Sequence, residues 1–284
     1  MAAGMLLERL PERLDVSVAR RLGVFFGMRS QARHHLRDNL RRVLVGSSQF
    51  VDARVLERFV VRGFENYAQY WAESAKLPAL SMDTIASRFR ISEGLEHLRE
   101  GYARGSGVVV ALPHVGSWEW GGSYIGSLGM PMTAVAEVLD PPELFEWFRE
   151  KRQAIGINIE GLDKNAGTKL LNVLKGGGVV GLLCDRDIQG GGVEVDFFGS
   201  RVTLPGGPAM LALRTGATLL ASACYSGPGR DHFAVVTPPI AAVREGRLRD
   251  DVTRVTQMIA HELEGLIRRA PEQWHVLEER FASP

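Results

Sequence analysis

Gly107-Val-Val-Val-Ala-Leu-Pro-His-Val-Gly-Ser-Trp-Glu-Trp-Gly-Gly122 is the stretch on which the reading of this chain turns. Val108 to Leu112 is an unbroken apolar run rich in β-branched residues, the pattern of a strand buried on both faces of a parallel sheet. Pro113 has no N–H to give the ladder and stops the strand. His114 therefore stands at the carboxyl end of a central strand, where open α/β sheets hold their ligands. The residues from Gly116 read as a first helical turn, across which Glu119 would meet His114 and fix the imidazole tautomer. Taken alone, the motif also fits a histidine that merely caps a turn.

A second run of the same kind, Val179 to Cys184, ends on Asp185-Arg186-Asp187. Two carboxylates and a guanidinium at a strand's carboxyl end form a candidate site on their own terms, or else an ion network that shapes the next loop. A strand at Met132 to Glu137 would bring Glu137 to the same crevice. Asp140-Pro141-Pro142 opens a helix over Glu143 to Ile155, and the helix dipole accounts for Arg149, Lys151 and Arg152 near its end. Further strands are expected at Ile85 to Ile91, Ile157 to Ile159, Gly216 to Tyr225 and Phe233 to Val236. An alternating edge strand is expected from Val193, after a Gly-rich loop. Helices are expected from Ser92, over Ala166 to Lys175, over Pro208 to Thr215 and over Asp251 to Arg269. The alternation predicts an α/β protein, a mostly parallel central sheet flanked by helices, with residues 1–284 as one domain. Within it, residues 79–284 would form the α/β core and residues 1–78 a helical amphipathic amino-terminal part.

That first part reads as two or three helices over residues 3–44, with Leu6, Leu7, Leu10 and Leu14 at helical spacing. The apolar Val18, Leu22, Phe25 and Phe26 are flanked by Arg20, Arg21 and Arg29, and Arg33, Arg37, Arg41 and Arg42 follow. Such an element suits an anionic membrane surface, or packs on its own core with a solvated basic face. Val51 to Lys76 is a strong amphipathic helix whose Tyr67, Tyr70 and Trp71 read as core in preference to a lipid site.

A net charge of +1, with no basic stripe interleaved with aromatics, argues against a nucleic-acid partner. Cys184 and Cys224 lie in apolar runs and read as buried thiols, which fits a reducing cytoplasm. No cysteine–histidine cluster has zinc spacing, so no metal is expected. No run is apolar and long enough to span a bilayer, and charges interrupt the amino end where a signal peptide would be apolar.

Pro113-His114-x-Gly116-x-Trp118-Glu119 resembles the His-x4-Asp/Glu motif of glycerolipid-type acyltransferases, in the form of the lipid A late acyltransferase-like branch. Asn39-Leu40, Asp185-Arg186-Asp187, Val193 to Gly199, Leu204 to Ala209 and Trp274 resemble further segments of that branch in the same order. The resemblance implies acyl transfer from acyl-CoA, palmitoyl-CoA for instance, to a glycolipid hydroxyl, with acyl carrier protein as the second-choice donor. No tightly bound cofactor is implied. His114 would be the general base, held by Glu119 and, from the opposite side, by Asp185. Arg152 would bind phosphate of the donor or of the lipid head group, with Glu137, Arg186, Asp187 and Glu194 as further substrate-binding residues. Backbone N–H groups near Gly116, or Arg186, would stabilise the oxyanion. Trp274 would pack. No Gly-x-Ser-x-Gly elbow surrounds Ser117 or Ser123, in keeping with direct transfer. The Asp-Arg-Asp triad and the lack of a membrane-spanning anchor favour the phosphatidylinositol mannoside acyltransferases of this branch, acting peripherally on the cytoplasmic face of the membrane. A lipid A-type enzyme and an inactive lipid-binding protein of the same fold are the alternatives.

Overall fold

The computed structural model describes residues 12–45, 51–137, 140–188 and 190–281. Its strands are β1 (Phe89–Glu93), β2 (Val108–Leu112), β3 (Met132–Ala136), β4 (Asn158–Gly161), β5 (Val179–Leu183), β6 (Val193–Phe197), β7 (Ser200–Leu204), β8 (Thr218–Ser226) and β9 (His232–Val236). Seven of them form one sheet in the order β1-β9-β8-β2-β5-β3-β4, and β6 pairs with β7 apart from it. Within the sheet only β8 and β9 run antiparallel. The helices are α1 (Glu12–Gly27), α2 (Ala32–Val45), α3 (Ala53–Lys76), α4 (Met82–Arg88), α5 (Leu95–Ala103), α6 (Trp118–Ser127), α7 (Pro142–Gln153), α8 (Ala166–Lys175), α9 (Gly207–Thr215) and α10 (Leu248–Arg269).

β2 lies between β5 and β8, and all its residues are buried. Side chains alternate across a strand, so its residues divide between two cores. Val109 and Ala111 pack with Leu174 of α8, Ala212 of α9 and Leu263 of α10. Val108, Val110 and Leu112 pack with Leu98 of α5, Ile125 of α6 and Ile157. Burying one such valine or leucine contributes about 1.5–3 kcal/mol. The unbroken apolar run is thus the signature of a strand with helices on both sides.

α1 lies tightly on α3. A Cβ at Gly23 would come 2.8 Å from the Phe64 carbonyl oxygen, and one at Gly27 would enter the Phe64 ring. The buried Asp15 carboxylate joins α1 to Lys76 at 2.6 Å and to Arg230 at 2.9 Å. On its outer side α1 leaves Val18, Leu22, Phe25 and Phe26 exposed. Leu36 and Leu40 of α2 pack on Leu56, Val60 and Phe64 of α3. Among the described residues no helix is long and apolar enough to cross a membrane.

The boundaries around β1 differ from expectation. The strand expected at Ile85 is the helix α4 followed by β1, because Ser81 caps α4 by accepting the Thr84 N–H at 3.2 Å. The helix expected at Ser92 begins after Gly94, whose φ of 80° turns the chain where a Cβ would strike the Val236 carbonyl. Leu6, Leu7 and Leu10 lie outside the described residues.

Candidate active site

β2 and β5 are adjacent, parallel and in register, Leu112 opposite Leu183. The residues just past their ends therefore meet. Asp185 Oδ1 lies 2.5 Å from His114 Nδ1, and Asp185 Oδ2 accepts the His114 backbone N–H at 3.0 Å. The same Oδ2 accepts the Trp274 indole N–H at 2.6 Å, and the Asp185 carbonyl accepts Arg280 Nε–H at 2.9 Å. Complete burial raises the Asp185 carboxyl's affinity for a proton. The His114 charge and the hydrogen bonds from His114 and Trp274 outweigh this and hold it well below the usual carboxylate range. An ionised Asp185 accepts only, so the neutral imidazole carries its proton on Nδ1 and presents a lone pair at Nε2. Arg186 is 3.4 Å from that Nε2 and pairs with Glu278 at 3.1 Å.

Glu119 does not meet His114. It is buried on the other side of the turn, where Oε1 accepts the Tyr70 hydroxyl at 3.0 Å and the Arg152 guanidinium at 3.2 Å. The reason is the geometry at Gly116, whose φ is 55° and where a Cβ would strike the Cys224 carbonyl. Gly116 N–H donates to the Gln273 carbonyl at 3.0 Å, and the Gly116 carbonyl accepts His275 Nε2–H at 3.1 Å. That N–H is spent, so Gly116 offers no donor to an oxyanion. Burial, then the neighbouring His114 charge, push the His275 imidazole down to about 3, so it stays neutral.

A cavity of about 880 Å³ opens in front of His114. Leu170 and Leu171 of α8, Leu182 and Leu183 of β5 and Met210 and Leu211 of α9 make an aliphatic wall. Tyr67, Tyr70 and Trp71 of α3, with Trp118 and His275, make an aromatic one. The three α3 aromatics were expected in the core. Leu56, Val60 and Phe64 pack there, whereas Tyr67, Tyr70 and Trp71 line the cavity. Arg152 lines the cavity with its guanidinium over the Trp118 and Phe148 rings, at 5.1 and 5.4 Å. Glu137 lines it just past β3 and is exposed. Asp187 also lines it, and its Oδ2 accepts the Gly192 N–H at 2.8 Å, tying the Gly-rich loop.

Glu194 does not belong to this site. Alternation along β6 turns Val195 inward and leaves Glu194 exposed, paired with Arg201 of β7 at 3.2 Å. Sequence reasoning missed Tyr70, His275 and Arg280 and gave Trp274 only a packing role. All but Tyr70 belong to the segment after α10, which crosses the strand ends through the Val115–Trp274 bridge. Both cysteines are free and buried, and burial pushes the Cys224 thiol up to about 12 and the Cys184 thiol higher.

A buried carboxylate orients an imidazole at the head of a largely apolar cavity, and proteins similar to this chain in sequence are named acyltransferases. The chain belongs to the bacterial lipid A biosynthesis acyltransferase family, whose family model matches residues 1–283. It is 34% identical over 263 residues to the phosphatidylinositol mannoside acyltransferase of Mycobacterium tuberculosis, covering 90% of this chain and 80% of that one. Its identity to the protein of the same name in Mycolicibacterium smegmatis is 32% over 285 residues, or 99% of this chain and 90% of that one. The lipid A biosynthesis acyltransferase of Haemophilus influenzae is 25% identical over 275 residues, 95% of this chain and 82% of the other.

Proposed function

We propose that this acyltransferase moves a fatty acyl group from acyl-CoA to a mannose hydroxyl of phosphatidylinositol mannosides, as a peripheral protein on the cytoplasmic face of the plasma membrane. The observation that carries the chemistry is the His114–Asp185 pair at the head of the cavity. The mycobacterial relatives support the acceptor.

A sugar hydroxyl is a poor nucleophile near neutral pH. His114 Nε2 takes its proton as the oxygen attacks the thioester carbonyl carbon, and Asp185 stabilises the imidazolium that forms. The tetrahedral oxyanion is met by Arg186, already beside Nε2. Collapse breaks the carbon–sulfur bond, and the imidazolium returns its proton to the CoA thiolate. The acyl chain lies along the aliphatic wall. Glu119 acts at one remove: it fixes Arg152 and Tyr70, and Arg152 takes the phosphate of the acceptor's head group. Glu137 and Asp187 border the bound substrates. The exposed Leu22, Phe25 and Phe26 of α1, with Arg21 and Arg29 beside them, suit an anionic lipid surface.

The test is acceptor profiling with radiolabelled palmitoyl-CoA. Label is expected in purified phosphatidylinositol mannosides. Label only in lipid A precursors would replace the acceptor, and label in neither would leave a lipid-binding protein of this fold.

A further inference from the structure

The two walls of the cavity are chemically unlike, and they belong to different elements of the fold. The aliphatic wall comes from β5, α8 and α9, whose leucines and methionine accommodate a flexible chain. On that side Lys164, just before α8, and Arg214 of α9 line the cavity, and neither has an ion-pair partner among the described residues. That side matches a donor made of an acyl chain and a polyphosphate.

The aromatic wall is a cluster of rings packed edge to face, and Trp71 is its most exposed member. Trp71 is 40% exposed, yet its ring is held at centroid distances of 6.2 Å from Tyr67, 5.2 Å from Tyr70 and 6.4 Å from Phe148. His275 packs on Tyr67 and Tyr70 at 5.8 and 5.2 Å. Below them, Glu119 holds the Tyr70 hydroxyl and Arg152 together, and Arg152 lies over Phe148. A large aromatic immobilised by its neighbours but left open is contact surface that costs little entropy to use. A pyranose ring offers one face of C–H bonds and a rim of hydroxyls, so it stacks on such a surface and keeps its polar rim towards His114 and Arg152.

α3, which carries the aromatic wall, also carries α1 on its Phe64 and Ala68, and α1 is the helix whose exposed Leu22, Phe25 and Phe26 are proposed above to meet lipid, so one element links the wall to that surface. Resting on the acyl-transfer reading above, we infer that Trp71 and Tyr67 form the subsite for the sugar ring of the glycolipid acceptor, with Trp71 as its principal stacking surface.

Two experiments test this. In steady-state transfer, Trp71→Ala raises the KM for the mannoside acceptor about tenfold and that for palmitoyl-CoA less than twofold, and Trp71→Phe recovers most of the loss. Parallel rises in both constants, or an unchanged acceptor KM in a variant with wild-type circular dichroism, would overturn the assignment. The second experiment needs no catalysis: saturation-transfer NMR with methyl α-mannoside. Wild type and His114→Ala both pass saturation to the sugar's C–H protons, and Trp71→Ala does not. No transfer to wild type, or transfer that survives Trp71→Ala, would overturn the subsite. Mannoside binding through Trp71 in a protein that acylates no mannoside would keep the subsite and overturn the acceptor named above.

Discussion

Asp185 shares its negative charge among three N–H donors, two from His114 and one from Trp274. Replacing the carboxylate by an amide, Asp185→Asn, removes the group that selects the imidazole tautomer. The expected loss in kcat is about 10³–10⁴-fold, with the palmitoyl-CoA KM little moved. Trp274→Phe keeps an aromatic ring and deletes one of these donors. The carboxylate that orients His114 loses a tether, so kcat is expected to fall several-fold with the palmitoyl-CoA KM little moved. An unchanged kcat beside a lowered melting temperature would make Trp274 a packing residue only. His114 and Asp185 are legible in the sequence because each follows an apolar run, and two such runs in register bring their ends together. Trp274 is 89 residues from Asp185, and His275 is 159 from Gly116. No local pattern announces such partners. Glu119 misled for the opposite reason: spacing along a turn says which residues could meet, but the left-handed Gly116 decides which do.

At the scale of elements, α3 joins the amino-terminal helices to the sheet through buried polar contacts. Glu73 is 6% exposed, accepts the Gln69 amide at 2.7 Å and lies 3.7 Å from His232 of β9. His232 in turn stacks on Trp120 of α6 at 4.3 Å. Burial, partly offset by the Gln69 hydrogen bond and nearby arginines, raises the Glu73 carboxyl from 4.5 to about 7. A carboxyl raised in the folded state stabilises fully below 4.5, and that contribution is lost as pH rises through 7. Glu73→Gln is neutral throughout, so it should match wild type near pH 4.5 and exceed it at pH 8, by up to about 3 kcal/mol. Urea melts at the two pH values measure this, and an equal difference at both would contradict it. His232 works the other way. Burial first, then the Arg88 charge, lower it to about 4, so its contribution is full above 6.5 and lost as pH falls towards 4. Amphipathic spacing made α3 legible as a helix. It could not show that Leu56, Val60 and Phe64 meet the core and Tyr67, Tyr70 and Trp71 a cavity, because both uses ask for the same kinds of residue. Glu194 was misplaced by a related limit: a loop motif places a residue near a site, whereas the period of β6 turns it outward.

For the whole molecule, the alternation of apolar runs and amphipathic helices was enough to read the parallel sheet and its helical layers. The sequence left open whether the basic, apolar amino-terminal helices face lipid or their own core. α1 packs on the core of α3 through Gly23 and Gly27 and leaves Phe25 and Phe26 exposed, free for the lipid contact proposed above. Changing Phe25 and Phe26 together to Asp should weaken sedimentation with anionic vesicles at least tenfold, since each inserted ring contributes about 1.5–3 kcal/mol. Raising the salt should weaken the wild type in the same direction. Unchanged sedimentation would place the membrane contact elsewhere.

His114 is the proposed base of acyl transfer, and the most direct measurement compares wild type with His114→Ala. The assay follows radiolabelled palmitate from palmitoyl-CoA into purified phosphatidylinositol mannosides. Transfer by wild type that drops at least about 10³-fold in a folded variant is the expected result. Transfer that survives the substitution would contradict the mechanism.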